Sequence, residues 1–333
     1  MRTINRLSLP FLFLALSLTH TVSSAATVYQ RKQSIVGSDF FEQFNWESKN
    51  DPTHGRVNYL TLKQAQVKKL AYATGDKFFM FPDSENVVEP GSRGRDSNRI
   101  SSKQAFDESV VILDLEHMPY GCATWPAFWT VSRKGPWPTG GEIDILEGVN
   151  GVERNMVSLH TLPGCTMPKG RLQTGETRSS NCDVKVNSNQ GCGTWVRSLD
   201  SYGEGFNSNR GGYYAMARSK EYGIKVWFWP RGDPLAPPDV RSDGGTVNPD
   251  KWGKPAAYFP TGAKCDYEAH FDAHRIVFDL TFCGDWAGSN SDWKESGCSP
   301  MSCNEFVDQN PELFADAYWE INSLRVYTPV TKN

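Results

Sequence analysis

Short runs of alternating apolar and polar residues recur along the chain, and they indicate β-strands rather than helices. The clearest runs lie at residues 77–81, 109–114, 224–229, 275–282 and 321–327. Such alternation is typical of antiparallel strands that turn one face toward a core. The pattern therefore predicts an all-β protein built as a two-sheet sandwich, in which the run at 321–327 pairs with an early strand. The Gly-, Ser- and Cys-rich stretch from Leu162 to Asn209 is expected to form long loops held by disulfides.

One stretch departs from strict alternation, and it carries three carboxylates. In Gly140-Gly-Glu-Ile-Asp-Ile-Leu-Glu-Gly148, Glu142 and Asp144 share a strand face, but Leu146 would come next on that face. An apolar side chain among carboxylates is the wrong chemistry. A β-bulge next to Leu146 absorbs one residue and returns Glu147 to the carboxylate face. The sequence therefore predicts a bulged strand with three acids on one side.

The spacing of the two glutamates indicates a reaction. With the bulge, the Cα atoms of Glu142 and Glu147 lie about 13 Å apart, and their side chains can approach to about 5 Å between carboxyl groups. That separation is typical of retaining glycoside hydrolysis. Asp144 is expected to share a hydrogen bond with Glu142 and to set the charge balance of the three acids. A solvated acidic face is the alternative, and it is disfavoured because unpaired carboxylates repel one another.

Five further residues are candidates for contacts with a sugar. Trp137 lies between prolines in a loop and Trp286 in a glycine-bounded loop, so both are expected to be exposed platforms. Trp129 either forms a platform or closes the core beneath a cleft. His160 lies on a strand-like segment soon after the acids, where an antiparallel neighbour would place it beside them, although a structural role is the alternative. Arg99 could bind a hydroxyl, pair with a carboxylate or remain a plain surface residue.

Neither a metal nor a cofactor is expected. His270 and His274 have a spacing that suits a metal on a helix, but they flank a β-rich run with no supporting Cys or Glu geometry. The eight cysteines do not form the paired Cys-x-x-Cys pattern of a zinc site. Their even number predicts up to four disulfides, whose connectivity stays open.

The first 25 residues are predicted to be a secretory signal peptide. Arg2 and Arg6 precede an apolar run at 7–18, and small residues follow it. The run is short for a membrane span, so residues 26–333 are expected to form one secreted, monomeric catalytic domain that does not associate with a membrane. The net charge of the full chain is −3, which argues against nucleic acid as a partner.

Several motifs together resemble glycoside hydrolase family 16. Residues 141–148 resemble the signature of the branch whose catalytic strand is bulged. Similarity to fungal laminarinase-type members extends to Ala127-Phe-Trp-Thr130, Ser158-Leu-His-Thr161, Phe282-Cys-Gly-Asp-Trp-Ala-Gly288 and residues 310–323. The resemblance implies a β-jelly-roll sandwich of two curved antiparallel sheets with an open cleft. It also implies retaining endo-hydrolysis of β-1,3-glucans or mixed β-1,3/1,4-glucans.

The same resemblance implies roles for individual residues. Glu142 would be the nucleophile, Asp144 its assistant and Glu147 the acid/base, while Trp129, Trp137, His160 and Trp286 would line the cleft. Two other functions stay open at this point. One is a transglycosylase that remodels cell-wall glucan with the same three acids. The other is a glucan-binding lectin, which would not need two glutamates at this spacing. Activity of the enzyme is expected to peak at roughly pH 4–6.

Overall fold

The computed structural model describes residues 28–330, so the predicted signal peptide lies outside the described residues. Strands dominate this part of the chain, as the alternating pattern predicts. In chain order they are β1 (Tyr29–Ile35), β2 (Phe44–Trp46), β3 (Val57–Tyr59), β4 (Ala71–Thr74), β5 (Lys77–Met80), β6 (Arg95–Ser97), β7 (Arg99–Ser102), β8 (Ser109–His117), β9 (Thr124–Ser132), β10 (Glu142–Glu147), β11 (Met156–His160), β12 (Glu176–Thr177), β13 (Cys192–Trp195), β14 (Gly212–Ser219), β15 (Gly223–Pro230), β16 (Thr246–Val247), β17 (Ala257–Phe259), β18 (His274–Phe282) and β19 (Trp319–Pro329).

Helices are short and connect the strands. The α-helices are α1 (Asp39–Gln43), α2 (Leu62–Val67), α3 (Gly203–Ser208), α4 (Pro238–Arg241), α5 (Tyr267–His270), α6 (Gly284–Ala287), α7 (Asn290–Ser296) and α8 (Cys303–Gln309). Single 3₁₀ turns occur at Asn187–Asn189, Leu199–Ser201, Pro249–Lys251 and Pro311–Phe314. Within residues 28–330, no helix has the length and apolar character needed to cross a membrane.

Two antiparallel sheets form the sandwich. The first has nine strands, with the order β16-β1-β19-β8-β14-β15-β17, and β5 joins it beside β19 with β4 at its outer edge. The second has eight strands in the order β12-β13-β11-β10-β9-β18-β7-β2. A small parallel pair, β3 with β6, stands apart from both. The predicted fold class is confirmed, and the late strand β19 pairs with the early strand β1 as expected.

The main core lies between the two sheets. Alternate residues of the facing strands fill it, because side chains of a strand point to opposite faces. Its fully buried members include Leu113 of β8, Phe128 of β9, Leu159 of β11 and Phe278 of β18. A second apolar cluster covers the outer face of the nine-stranded sheet and includes Trp227 and Trp229, which explains why these alternating tryptophans are buried.

The loop prediction for 162–209 is partly wrong. The stretch includes β13, which pairs with β11 in the eight-stranded sheet, and the helix α3. The sequence Cys-Gly-Thr-Trp of β13 has no apolar run, so the alternating pattern did not mark it. The expected disulfides are present as Cys122–Cys298, Cys165–Cys265, Cys182–Cys192 and Cys283–Cys303. Two of them tie the 162–209 stretch, one internally and one to Cys265.

Candidate active site

The predicted bulge is present in β10, near the middle of the eight-stranded sheet. Asp144 lies opposite Trp129 of β9 and Leu146 lies opposite Phe128, so the register shifts by one residue between them. The buried side chain of Asn155 holds the bulged backbone. Its amide nitrogen donates to the carbonyl of Ile145 at 2.8 Å, and its oxygen accepts from the N–H of Glu147 at 2.8 Å. The bulge is therefore completed by a side chain that satisfies two polar groups the ladder leaves unpaired.

The bulge separates the acids from the core. Ile143, Ile145 and Leu146 are completely buried between the sheets. Glu142 and Glu147 are partly exposed on the opposite face, with the nearly buried Asp144 between them. This face of the sheet therefore presents three carboxylates side by side, as the sequence predicts.

Glu142 is bound by an indole. The Nε1–H of Trp137 donates to Oε2 of Glu142 at 3.0 Å. Trp137 is 48% exposed to solvent. Trp137 therefore has two features at once, because an exposed ring is available to a ligand while its N–H holds a carboxylate.

Glu147 is held in the same way by a different tryptophan. The Nε1–H of Trp125 donates to Oε1 of Glu147 at 2.9 Å. The ring of Trp125 meets that of Trp286 edge to face, with centroids 5.7 Å apart. Both rings are partly exposed. Trp286 is thus near Glu147, and Trp137 marks the opposite end of the carboxylate row.

Asp144 is bound by the neighbouring strand β11. Ser158 donates its hydroxyl to Oδ2 of Asp144 at 3.2 Å, and Nε2 of His160 lies 3.3 Å from the same oxygen. His160 pairs with Glu142 in the ladder, which confirms its predicted place beside the acids. The hydrogen bond that the sequence analysis expected between Asp144 and Glu142 is replaced by these two contacts.

Burial and mutual repulsion make all three carboxyls harder to ionise. Burial, and next the charge of Asp144, raise the pKa of Glu142 above its ordinary value. Burial likewise raises the pKa of Asp144. Burial, followed by the charge of Asp144, raises the pKa of Glu147 to about 8, while the hydrogen bond from Trp125 opposes the rise. Strongly raised carboxyl pKa values in a group of acids are typical of a functional site.

Trp129 lies beside the acids, and Arg99 lies behind it. Trp129 is partly exposed and is the cross-strand neighbour of Asp144. The guanidinium of Arg99 lies 5.0 Å from the centre of the Trp129 ring. Trp129 therefore forms part of the floor of the carboxylate face rather than the core between the sheets.

The suggestion that Arg99 binds a hydroxyl or stays on the surface is not supported by its position. Arg99 is only 7% exposed and pairs with Asp279 at 2.6 Å and with Glu47 at 3.0 Å. Burial alone would lower the pKa of Arg99, but the charge of Asp279 raises it. Of the options left open by the sequence, pairing with carboxylates is the one observed. Arg99 thus supports Trp129 from beneath.

Among residues 28–330, one group of three ligand-type side chains lies close enough together to hold a metal ion, and it is within the site itself. One carboxylate oxygen each of Glu142 and Asp144 and a ring nitrogen of His160 lie within 4.8 Å of one another. These side chains already take part in the hydrogen bonds described above. His274 has both ring nitrogens occupied, by the Thr130 hydroxyl at 2.9 Å and the Gly140 carbonyl at 2.7 Å. The expectation that no metal is bound stays a prediction.

Three residues that hold the acids were missed by the sequence analysis. Trp125 could have been found, because it lies four residues before Trp129 on the same strand and shares its face. Ser158 could also have been found, since it alternates with His160. Asn155 gave no signal, because its partners are backbone groups.

Comparison with known proteins points to one family. The profile described as XgeA-like, catalytic GH16 domain matches residues 44–327. A probable glycosidase of Schizosaccharomyces pombe is 45% identical over 308 residues, which are 92% of this chain and 70% of that protein. An endo-1,3(4)-β-glucanase of Arthroderma benhamiae is 40% identical over 91% of this chain and 65% of its own length. An endo-1,3(4)-β-glucanase of Emericella nidulans is 36% identical, and the chain spans 48% of its length.

Solved structures give the same result. Laminarinase 16A of Phanerochaete chrysosporium, with two β-glucans in its donor and acceptor sites, is 46% identical with a TM-score of 0.88. The match covers 90% of this chain and 100% of that one. An elongating family 16 β-1,3-glucosyltransferase is 38% identical with a TM-score of 0.81, over 90% of this chain and 100% of the other.

Proposed function

The chain belongs to glycoside hydrolase family 16, and we propose that it is a secreted, retaining endo-β-glucanase. Its substrates would be β-1,3-glucans and mixed β-1,3/1,4-glucans. The observation that carries the proposal is the bulged strand β10. It aligns Glu142, Asp144 and Glu147 on one face, and an indole N–H holds each of the two glutamates.

In the first step the carboxylate of Glu142 attacks the anomeric carbon while Glu147 gives its proton to the departing glycosidic oxygen. The two residues need opposite protonation states. The N–H of Trp137 stabilises the ionised form of Glu142. The raised pKa of Glu147, about 8, keeps that carboxyl protonated at neutral and acid pH.

In the second step water releases the glycosyl group from Glu142. Once Glu142 is an ester, its negative charge no longer repels a charge on Glu147, so the pKa of Glu147 falls. Glu147 then accepts the proton of the attacking water. Ser158 and His160 hold Asp144 in place. The charge of Asp144 raises the pKa of both Glu142 and Glu147.

The choice of substrate rests on the relatives and on the cleft face. The relatives include proteins named endo-1,3(4)-β-glucanase, and a similar structure contains β-glucans. Trp129, Trp137 and Trp286 are partly exposed around the acids, and flat indole faces suit the C–H faces of glucose units. A neutral polysaccharide also fits a face with three carboxyl groups, because it adds no like charge.

Digestion of laminarin, lichenan and carboxymethyl-cellulose, with products sized by chromatography, tests this function. We expect the wild-type protein to release oligosaccharides from the first two substrates. The Glu142→Gln variant should retain less than about a hundredth of wild-type activity. Glu153→Gln is the matched control, because Glu153 is an exposed loop residue close after β10. Binding of laminarin without hydrolysis by the wild-type protein would favour the lectin alternative instead.

The stereochemistry has its own test. Glu147→Ala cannot protonate a leaving group, but an activated aryl glycoside still forms the glycosyl-enzyme. Added azide then attacks that intermediate and should give a β-glycosyl azide, because two inversions retain the configuration. An α-configured azide product would contradict the roles of both glutamates.

Transglycosylation is the second candidate, and one observation favours it. A similar structure is named an elongating β-1,3-glucosyltransferase, so a relative on this scaffold passes the glycosyl group to a sugar. Incubation of laminari-oligosaccharides with an added labelled acceptor distinguishes the two outcomes. Labelled products longer than the acceptor would identify a transferase, and unlabelled products shorter than the donor a hydrolase.

Secretion is the last part of the proposal. The four disulfides are typical of proteins that fold in an oxidising compartment. When a eukaryotic host expresses the full chain, the protein should be found in the culture medium. Its first residue should be the one that follows Ala25. Recovery only inside cells, with Met1 intact, would contradict both the signal peptide and its cleavage. Size-exclusion chromatography of the secreted protein tests the expected monomer.

A further inference from the structure

Trp195 of β13 lies on the same face of the eight-stranded sheet as the three acids, although it is two strands away from them. Ser158 of β11, whose hydroxyl binds one of the acids, lies directly opposite Gly193 of β13. Because side chains alternate along a strand, Trp195, two positions after Gly193, shares that face. Cys192 and Thr194 point the other way and are fully buried. The register therefore places on the carboxylate face an indole that the proposed mechanism does not use.

The arrangement of the two glutamates gives the direction of a bound glucan. The two carboxyl groups of a retaining enzyme flank the bond that they cleave. Glu142 and Glu147 are separated along β10, so a glucan that passes between them crosses the strands and continues over β11 and β13 on one side. Neighbouring strands are about 4.8 Å apart, so the backbone of β13 lies about 10 Å from that of β10. Trp195 is thus placed to contact a sugar farther along the chain than the two joined by the cleaved bond.

The sheet surface next to Trp195 is flat. Gly193 carries no side chain, and Met156, directly opposite Trp195 on β11, is apolar and partly exposed. A Cβ atom at Gly193 would lie 3.0 Å from Sδ of Met156, so even alanine would crowd this surface. A flat surface of this kind lets a sugar chain lie close to the sheet.

Trp195 is partly exposed, and charged side chains border its ring. The guanidinium of Arg154 lies 5.8 Å from the centre of the ring. Glu176, directly opposite Trp195 on β12, pairs with Arg154 at 3.3 Å and with Arg197 at 3.7 Å. Gly175 lets β12 approach, since a Cβ atom there would lie 2.6 Å from the carbonyl oxygen of Trp195. The result is an apolar ring beside hydrogen-bond donors and an acceptor.

These charged side chains contribute little to folding. The side chains of Arg154, Glu176 and Arg197 are 35%, 50% and 67% exposed, and exposed ion pairs are weak because water screens them. Within residues 28–330, the indole N–H of Trp195 has no acceptor and is not buried. A partly exposed tryptophan with a free N–H is typical of a binding surface.

We propose that Trp195 and Arg154 form a remote subsite that binds one glucose unit of a long β-glucan chain. The inference rests on the proposed function and deepens it, because it makes cleavage depend on chain length. The indole packs against C–H groups of the sugar. Arg154 and Glu176 provide a donor and an acceptor for its hydroxyl groups, and hydrogen bonds to charged groups are the stronger ones. The subsite is remote from the cleaved bond, so it binds substrate and transition state equally and lowers KM without raising kcat.

Kinetics on substrates of different length test the proposal. Trp195→Ala should raise KM for laminarin about tenfold and change kcat less than about twofold. The loss should be confined to long chains, because the activated aryl glycoside does not extend to β13. Trp195→Phe keeps an aromatic ring and should recover most of the lost KM. Tyr258→Ala is the matched control, because it removes a partly exposed aromatic ring from β17 of the other sheet.

A second measurement does not depend on cleavage. Isothermal titration calorimetry with laminarin should show about tenfold weaker binding when Trp195→Ala is added to the Glu142→Gln variant. Adding Arg154→Met to Glu142→Gln should weaken binding about threefold, because the sugar loses a charged donor but keeps the ring.

Three outcomes would overturn the proposal. One is an equal rise in KM for laminarin and for the aryl glycoside, and another is unchanged binding of laminarin when Trp195→Ala is added to Glu142→Gln. The third is a urea midpoint that Trp195→Ala and Arg154→Met lower equally, with equal losses on both substrates, because the contact would then support the fold. If the wild-type protein binds laminarin without cleaving it, the proposed function fails, and calorimetry still decides whether Trp195 forms a subsite.

Discussion

Replacing Glu147 with glutamine should reduce the loss of folding stability that the wild-type protein shows as the pH rises. In the folded protein the pKa of Glu147 rises from the ordinary value of 4.5 to about 8, first because of burial and then because of Asp144. The unfolded chain loses this proton near pH 4.5, and the folded protein keeps it to about pH 8. Between these values the folded state binds one more proton, so its stability falls as the pH rises. Glutamine does not titrate, and the loss disappears.

The size of the effect follows from the shift. A rise from 4.5 to about 8 corresponds to roughly 4–5 kcal/mol at about 1.4 kcal/mol per pKa unit. Glu147 is partly exposed, and solvent screening reduces the value to roughly 1–3 kcal/mol. Relative to the wild type, Glu147→Gln should therefore gain most of that amount between pH 4.5 and pH 8.5, the range that spans the two pKa values.

Urea unfolding followed by tryptophan fluorescence at the two pH values measures the difference. The exposed Glu85 provides a control, since Glu85→Gln should change the free energy of unfolding by no more than about 0.5 kcal/mol at either pH. A difference between Glu147→Gln and the wild type that is the same at both pH values would refute the reasoning. Glu147 would then ionise like any glutamate and could not donate a proton at neutral pH.

Three further predictions concern the residues that hold the acids. Trp137→Phe keeps a platform but loses the indole N–H, so kcat should fall about tenfold with little change in KM; an equal loss in KM would contradict a role in holding the nucleophile. Trp125→Phe removes the hydrogen bond that lowers the pKa of Glu147, so the alkaline limb of kcat/KM should move above pH 8; a limb that moves to lower pH would contradict it. Arg99→Met should cost about 3–5 kcal/mol in urea unfolding because Asp279 stays buried without its cation, and Asp279→Asn in the same chain should recover most of it; strictly additive losses would show that the pair is not coupled.

Much of the site could be predicted because its chemistry conflicts with a simple strand pattern. In a regular strand the apolar Leu146 would lie on the same face as the acids, which is unfavourable, so a bulge is expected. The register shift between Asp144 and Leu146 confirms that bulge. His160 could be placed by antiparallel pairing alone. Local rules were sufficient because each residue lies on β10 or on a strand adjacent to it.

The rest depended on contacts between distant parts of the chain. Arg99 looks like any exposed arginine in sequence, and only the fold brings it to Asp279, 180 positions away. The side chain of Asn155 binds backbone groups, which every residue has, so the sequence does not indicate that Asn155 stabilises the bulge. Raised carboxyl pKa values also depend on burial, which the alternating pattern does not measure. The expected activity maximum at roughly pH 4–6, between the ordinary pKa of a glutamate and the raised pKa of Glu147, stays a prediction.

The position of β19 has a consequence for protein synthesis. This strand lies between β1 and β8 and also pairs with β5, yet it is made after all of them. While the ribosome adds the intervening residues, at about 5–20 residues per second, β1 and β8 each lack a neighbour. Unpaired edges of this kind favour association between nascent chains. Chaperone supply during translation should therefore limit the yield of this protein, and chains that end before Trp319 should aggregate rather than accumulate as a weakened enzyme.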